Sequence, residues 1–552
     1  MSSTRAAPAP TATAPMTHRE VLEALSGLLT AMFVAMISST VVSNALPRIV
    51  ADLHGSESGY TWVVTATLLT LTATTPIWGK LADLYNKKLL VQVALLIYVA
   101  GSVFAALSQS MGMLIAARAV QGVGVGGLSA LVQIVIASIV PARERGRYFG
   151  YLGAVFAVAT VSGPLIGGVI VDTSWLGWQW CFYVGIPFAA VAFAVLQKTL
   201  HLRTLRRDVS IDYIGALLIT SGVSTLLIWV SLAGTQFDWA STTTAWMVTL
   251  GVLLLAGFVV AETRVKEPII PLRLFRDRTT SLATFASVMV GVSLFGGTVF
   301  LSQYFQLARG MSPTRAGLMT LFLVGGLLVS SVITGRIIAV TGRWKRYLVG
   351  GSLLMVAGLG LLSLIDPGIG LWTVGGFMAV LGVGVGAVNQ NLVLAVQNNA
   401  AQSDIGAASS LAAFFRTMGG SIGVSALGAA LNQQVSSSLA AGFARLGIAP
   451  PAAESGTSIP DLSTLPGPVR QVFEAAFADA TGHIFLLAAP FGALAVVAIL
   501  LIREVPLRTT IERADELEPA DEPEDAEERE QAGDGRAADR LEPVHDAERG
   551  VR

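Results

Sequence analysis

The sequence predicts an all-α polytopic membrane protein. The expected architecture is two six-helix bundles with two further helices inserted between them, fourteen transmembrane helices in all. Three observations carry this. Hydrophobic residues make up 53% of the chain and charged ones only 13%, about half the charged share of an ordinary soluble domain. Apolar stretches long enough to cross a bilayer recur along the chain. The first six of those stretches are echoed by the last six.

The stretches fall at about 24–46, 60–79, 89–108, 112–136, 148–171 and 180–198, then 212–233 and 243–262, then 281–307, 316–338, 347–365, 370–396, 407–431 and 483–502. They define an N-terminal bundle over 21–200, an inserted pair over 212–262 and a C-terminal bundle over 281–503. The N-terminal tail, 1–20, is rich in Ala, Pro and Thr and has no apolar core for a signal peptide; it is expected to be disordered. A polar loop rich in Pro, Ser and Gly is expected over 432–482. The C-terminal tail, 504–552, is expected to be disordered, because 16 acids face 6 bases from Ile511 onward and apolar residues are few. The formal net charge of zero therefore hides a basic membrane body and an acidic tail. The single cysteine, Cys181, excludes an internal disulfide framework and a cysteine-rich metal site.

Orientation follows from lysine and arginine. With the N-terminus inside, about 19 of them (among them Lys80, Lys87, Lys88, Arg143, Arg145, Arg147, Arg273, Arg343 and Lys345) fall in inner loops and about 5 in outer loops. Both termini are then cytoplasmic and the protein is a multi-pass protein of the cell (inner or plasma) membrane.

Internal repetition supports the two-bundle reading. Gly122-Val123-Gly124-Val125-Gly126 in the fourth stretch recurs as Gly382-Val383-Gly384-Val385-Gly386 in the twelfth. Gly79, Asn86 and Lys87 after the second are matched at the same spacing by Gly335, Gly342 and Arg343 after the tenth. Two related halves place a binding site between them near the bilayer midplane, with access alternating as one half rocks on the other.

Candidate functional residues lie on the fourth stretch first. LIAARAVQGVGVGG carries a cation, Arg118, in an apolar span. An intramembrane guanidinium is costly, so it is expected to face a polar partner or a water-filled cavity. The glycines remove side chains and let another helix approach. The loop after the second stretch, GKLADLYNKK, supplies Gly79 for close approach and Asp83 as an acceptor for a helix N-terminus or an arginine. Lys87 and Lys88 anchor the inner side. The second copy has Ala339 where the first has Asp83, so a charge lock is expected on one side only. The fifth stretch carries Gly153 and then Gly163, Pro164, Gly167 and Gly168, a kinkable helix with a flat small-residue face.

On these residues the chain resembles the major facilitator superfamily, specifically its fourteen-span drug:proton antiporter branch, over about 20–505. GKLADLYNKK is similar to the superfamily's loop signature, with Asn86 where glycine is usual. LIAARAVQGVGVGG resembles the fourth-span signature, whose arginine, here Arg118, is implicated in proton transfer. Gly153 to Gly168 resembles the fifth-span signature of antiporters, which shapes the cavity and limits leak. WQWCFYVGIP (178–187), Asp212 and FFRTMGGSIGVS (414–425) are further matches. The resemblance implies the major facilitator fold and multidrug efflux coupled to protons.

One departure bears on coupling. Family members commonly carry an aspartate in the first span shortly before Ala-Leu-Pro; here Ser38 takes that place, and no Asp or Glu falls in the middle of any stretch. Proton coupling and gating are therefore assigned to Arg118 with Asp83, Gly79 and Lys87. With no mid-membrane acid, the cavity holds no fixed partner for a dedicated organic cation. Its candidate lining is neutral: Gln121, Gln133, Gln303, Gln306, Asn389 and Gln390, with Phe414 among the aromatics. Such a pocket suits lipophilic compounds, neutral or zwitterionic.

The expected function is secondary active efflux of lipophilic small molecules or drugs in exchange for protons by alternating access. The alternatives are a dedicated exporter of one endogenous metabolite or lipid, a facilitator without proton coupling, and a membrane sensor or scaffold. An enzyme is not expected, because no nucleophile, base or metal ligands cluster. No Walker-type loop is present and GVGVG lacks the preceding strand of a dinucleotide site, so the proton gradient, and no cofactor, is the expected energy source. The expected partners are protons, a small lipophilic substrate and the lipid bilayer, with no nucleic acid, and the working unit is a monomer.

Overall fold

The computed structural model describes residues 18–54, 57–173, 175–200, 212–234, 236–446 and 466–509. The calls on 1–17, on 447–465 within the outer loop and on the acidic tail from 510 lie outside the described residues.

The N-terminal bundle comprises α1 (His18–Asp52), α2 (Glu57–Leu84), α3 (Lys87–Ala106), α4 (Met111–Ile139), α5 (Ala142–Asp172), the single turn α6 (Trp180–Tyr183) and α7 (Gly185–Thr199). The inserted pair is α8 (Tyr213–Leu232) and α9 (Thr242–Glu262). The C-terminal bundle comprises α10 (Arg278–Gln303), the short α11 (Pro313–Met319), α12 (Leu321–Thr341), α13 (Lys345–Leu362), α14 (Leu371–Asn399), α15 (Ile405–Leu446) and α16 (Gly467–Leu501). The chain is all-helical in architecture. Among the described residues twelve helices are long and apolar enough to cross a membrane. Helices α2 and α15 fall outside that set because threonine in the first, and Ala, Gly and Ser in the second, dilute their apolar character.

The pairing of helices repeats between the halves. Helix α4 packs on α2 and α3, and α14 on α12 and α13; α1 packs on α5 and α7, and α10 on α15 and α16. The duplicated glycine run explains the first set. An added Cβ at Gly122 or Gly126 would collide with α2, at Thr67 and Leu71, and one at Gly124 would collide with α3, at Ala94 and Tyr98. In the second half Gly382 and Gly386 face α12, at Leu323 and Leu327, and Gly384 faces α13, at Met355 and Gly351. Alternate glycines thus serve two neighbours on opposite faces of one helix, and main chains come within contact distance.

The halves meet along a seam. Helix α5 packs on α12, and α15 packs on α2. These two pairs are the same pair seen from either half of the repeat. The inserted pair packs on itself, and α8 lies against α2 and α15.

Three boundaries differ from the sequence reading. The sixth stretch breaks between α6 and α7, with Trp178 stacked edge-on against Phe182 at 6.1 Å. The outer loop expected over 432–482 is mostly helix: α15 runs on to Leu446 and α16 begins at Gly467. Its polar composition conceals apolar residues at helical spacing, Leu431, Val435 and Phe443, all buried, and Phe443 stacks on Phe473 of α16 at 5.9 Å. The tail expected to be disordered from 504 is held as far as 509. Glu504 Oε1 accepts from the Trp344 and Lys345 backbone N–H groups at 2.9 and 3.1 Å, and Val505 O accepts from Trp344 Nε1 at 2.8 Å.

Candidate functional site

The lysine- and arginine-rich end of the bundle, here the basic end, holds two locks across the seam. In the first, Asp83 at the end of α2 accepts hydrogen bonds from the start of α15: Gly406 N–H to Oδ1 at 2.7 Å and Ala407 N–H to Oδ2 at 2.8 Å. A carboxylate at a helix N-terminus satisfies orphan donors and meets the positive end of the helix dipole. Gly79 makes the approach attainable, since a Cβ there would strike Ser410 and the Gly406 carbonyl. Lys87 is a positive charge acting on Asp83. Asn86 earns its place differently: its Oδ1 accepts from Lys88 and Leu89 N–H at 2.9 and 3.4 Å and caps α3.

The second lock corrects the expectation of a one-sided device. Ala339 has no carboxylate, yet its carbonyl and that of Val340 accept from Arg143 Nε and Nη2 at 3.1 and 2.9 Å. Here a cation at the start of α5 satisfies the last carbonyls of α12, the mirror of the first lock in charge and in helix polarity. Gly335 and Gly146 meet backbone to backbone beneath it. Gly79 with Gly406 and Gly335 with Gly146 are therefore repeat-related contacts. The repeat of Gly79 in Gly335 was visible in sequence; Arg143, Gly146 and Gly406 were missed as functional, because each matters only through a partner distant in the chain.

Further ties close the same end. Arg273 grips Asp404 through Nη2 at 2.9 Å to both carboxylate oxygens, with Nε at 3.2 Å; that hydrogen-bonded carboxylate raises the guanidinium above its ordinary value. Lys80 Nζ pairs with Glu267 at 2.7 Å. Arg145, buried, donates to the final carbonyls of α4, Ala137 at 2.6 Å and Val140 at 2.9 Å, and to Gln397 of α14 at 3.2 Å.

Arg118 lies on α4 away from this end, 4% exposed. Its Nη1 donates to Gln121 Oε1 one turn on. Gln121 Nε2 donates onward to Ser102 of α3 at 2.8 Å. Tyr98 is within hydrogen-bonding reach of both Ser102 and Ser38. Ser38 thus joins a neutral chain of hydroxyls and an amide that ends on the guanidinium, linking α1, α3 and α4. The Arg118 Nε is buried and unpartnered, and the Arg118 carbonyl accepts from Thr67 of α2 at 3.3 Å.

The remaining candidates separate into groups. Gln121 is wholly enclosed and braces α3 against α4. Gln133, 3% exposed, donates to Ser129 O at 3.3 Å and leaves its Oε1 unpartnered. Asn389 and Gln390 are half-buried on α14. Asn389 Oδ1 accepts from Arg416 Nη1 of α15 at 3.0 Å. Gln303 and Gln306 sit where α10 passes into a π-helical turn, Tyr304–Ala308. They lie about 18 and 22 Å along the helix from Gly291, which meets the Arg416 backbone, so the structure does not bring them to Asn389. Phe414 is buried and stacked on Phe415 at 5.1 Å. On α5, Gly163 packs on Thr40 of α1, Gly153 faces Ser331 of α12 with room for a Cβ in ordinary van der Waals contact, and Gly168 has open space beside it. Gly167 is buried, and the helix is continuous through Pro164.

A repeat-related pair of bundles with locks on one end is the frame of a transporter, and comparison with known proteins agrees. The Major Facilitator Superfamily model matches residues 28–424. The chain belongs to this superfamily. The efflux pump dotC of Dothistroma septosporum is 34% identical over 497 residues, 88% of this chain and 84% of its own. The multidrug transporter protein MdtP of Bacillus subtilis is 33% identical over 408 residues, 74% of this chain and 75% of its own. Among solved structures, the proton:xylose symporter XylE matches with a TM-score of 0.56 over 86% of this chain and 96% of its own, at 14% identity, a likeness of fold. The chain is thus a multi-span membrane transporter of small molecules, and its family is one of transporters, not enzymes.

Proposed function

We propose that this superfamily member is an efflux transporter that exports lipophilic, drug-like small molecules in exchange for protons by alternating access, with the basic end facing the cytoplasm. The observation that carries the reading is the pair of repeat-related locks, Asp83 on α15 and Arg143 on α12. Both are polar, both cross the seam, and both must release for the basic end to open. Efflux is supported by the names of the relatives dotC and MdtP. Orientation is supported by the charge bias of the loops.

The coupling step assigned to Asp83 follows from its bonds. Ionised, it holds two backbone N–H groups in charge-assisted hydrogen bonds; protonated, it holds them with about half the strength. Proton arrival at Asp83 therefore weakens the lock and favours an inward-open bundle. Arg118 stays enclosed among neutral partners and keeps α1, α3 and α4 moving as one body. A facilitator without proton coupling is the second reading. It is favoured by Ser38, whose neighbours Tyr98, Ser102 and Gln121 complete the network around Arg118 without a carboxylate.

The test is steady-state accumulation of a lipophilic fluorescent dye in cells expressing the protein. Lower accumulation than in control cells, restored by collapsing the pH gradient with an uncoupler, is the expected result. Unchanged steady-state accumulation with faster equilibration of the dye favours the facilitator, because downhill carriage cannot shift the steady state, and accumulation that rises on expression overturns export.

A further inference from the structure

Three arginines lie within the helical body with little access to solvent, and they differ in what satisfies them. Arg145 spends its donors on three acceptors. Arg118 is 4% exposed and sealed against Gln121. Arg416 on α15 is half-buried, donates one hydrogen bond, to Asn389 Oδ1, and has no charged side chain acting on it among the described residues.

Its position is central. Arg416 lies eleven residues into α15, about 16 Å from the locked end, which is close to half the thickness of a bilayer's hydrocarbon core of about 30 Å. Helix α15 packs across the seam on α2 and α4, and α14, which carries Asn389, packs across it on α5. Phe415 precedes Arg416 and stacks on Phe414 and on Phe275 at 5.1 and 6.3 Å, which provides an apolar wall. Acids that the structure describes towards the basic end are engaged there: Asp83 with α15, Asp404 with Arg273, Glu267 with Lys80, Glu262 with the Ile269 and Ile270 N–H groups, Asp277 with Thr280 and Asn399, and Asp212 with the Gly215 N–H.

We infer that Arg416, held by Asn389, is the recognition point for a negatively charged substrate group, so that the seam takes amphipathic organic anions, carboxylates above all. A guanidinium presents a planar fork of donors that a carboxylate fills bidentately, and a cation at mid-membrane with a single neutral partner is costly until an anion joins it. The bound pair is neutral, which lowers the cost of carrying the substrate's charge past the midplane. The hydrogen bond that Arg416 donates to Asn389 leaves its remaining donors for the ligand. The inference narrows the substrate class of the transport reading and rests on it in taking the seam as the path.

The experiment is equilibrium binding to the purified full-length protein, without any gradient, of pyrenebutyrate and of its uncharged methyl ester. Arg416→Gln is expected to weaken the acid about tenfold or more while leaving the ester unchanged, and Arg416→Lys to restore part of the loss. Asn389→Asp, which gives Arg416 an internal partner, is expected to exclude the acid in the same way, and it serves if the first variant does not fold; ester binding reports folding in each. Equal weakening of acid and ester, or no weakening of the acid, overturns the inference. So does displacement of pyrenebutyrate by millimolar chloride in place of gluconate, which would make this an inorganic-anion site. Selective acid binding by a protein that moves no substrate would fail the transport reading and leave the recognition site standing.

Discussion

Arg118 shows at the scale of one residue how a charge is kept inside a membrane protein without a counter-charge. Its neighbours are an amide, two serines and a tyrosine, and their hydrogen bonds run in one direction from Arg118 through Gln121 to Ser102. A buried polar group that loses its partner costs about 1–3 kcal/mol, more for a charged one. Gln121→Leu removes the acceptor on which the guanidinium rests and leaves its volume nearly unchanged. The expected outcome is a lower unfolding temperature for the purified protein, and Gln121→Glu, which supplies a carboxylate acceptor, should hold it at or above the wild-type value. An unchanged unfolding temperature in the leucine variant would mean that water satisfies Arg118. The sequence announced Arg118 plainly, as an arginine in an apolar span. It did not announce Tyr98 or Ser102, because a hydroxyl in a membrane helix reads the same whether it bonds its own backbone or bridges to a neighbour.

At the scale of the helix, the locks depend on backbone approach as much as on charge. Gly335 against Gly146 admits no side chain. Gly335→Val should therefore wedge α12 from α5 and break the Arg143 bonds to Ala339 and Val340, while Asp83→Asn should weaken only the opposite lock. The measurement is the rate at which aqueous maleimide labels a cysteine placed at Ser409, a residue 1% exposed beneath the basic end, in a Cys181→Ser background. The valine variant should label several times faster than its parent and the asparagine variant modestly faster; equal rates in all three would show that these contacts do not hold the end closed. The helical periods, the repeat and the glycine faces were legible in sequence because each is a local pattern. The Arg143 lock was not, because nothing local distinguishes it from other loop arginines. The helical ends of α15 and α16 were misread because polar composition masked their apolar spacing. The hold of 504–509 on Trp344 was missed because a short polar segment after the last span looks like tail until its acceptors are seen.

At the scale of the molecule, the two repeat-related contacts across the seam are one pairing in two electrostatic versions. The N-terminal half supplies both groups: Asp83 of α2 meets the N-terminus of α15, and Arg143 of α5 meets the C-terminus of α12. A proton can weaken the first and has no purchase on the second, because an arginine does not release its charge at neutral pH. In the proposed mechanism proton sensitivity is thereby confined to the Asp83 contact, and opening begins there. Among the described residues Asp83, Asp404, Glu262 and Glu267 are engaged at the basic end, and the cationic Arg416 lies nearer mid-depth with Asn389 as its partner. On the function and recognition site proposed above, substrate and proton act at different depths and the moving bundles couple them.

The most direct measurement is proton movement in proteoliposomes holding the purified protein under an imposed pH gradient, on addition of a lipophilic substrate, with Asp83→Asn and Arg118→Ala beside the wild type. The account predicts substrate-triggered proton flux in the wild type and its loss in both variants, with substrate exchange across the membrane surviving in Asp83→Asn. Substrate movement without proton flux in the wild type, or flux undiminished in Asp83→Asn, would contradict it.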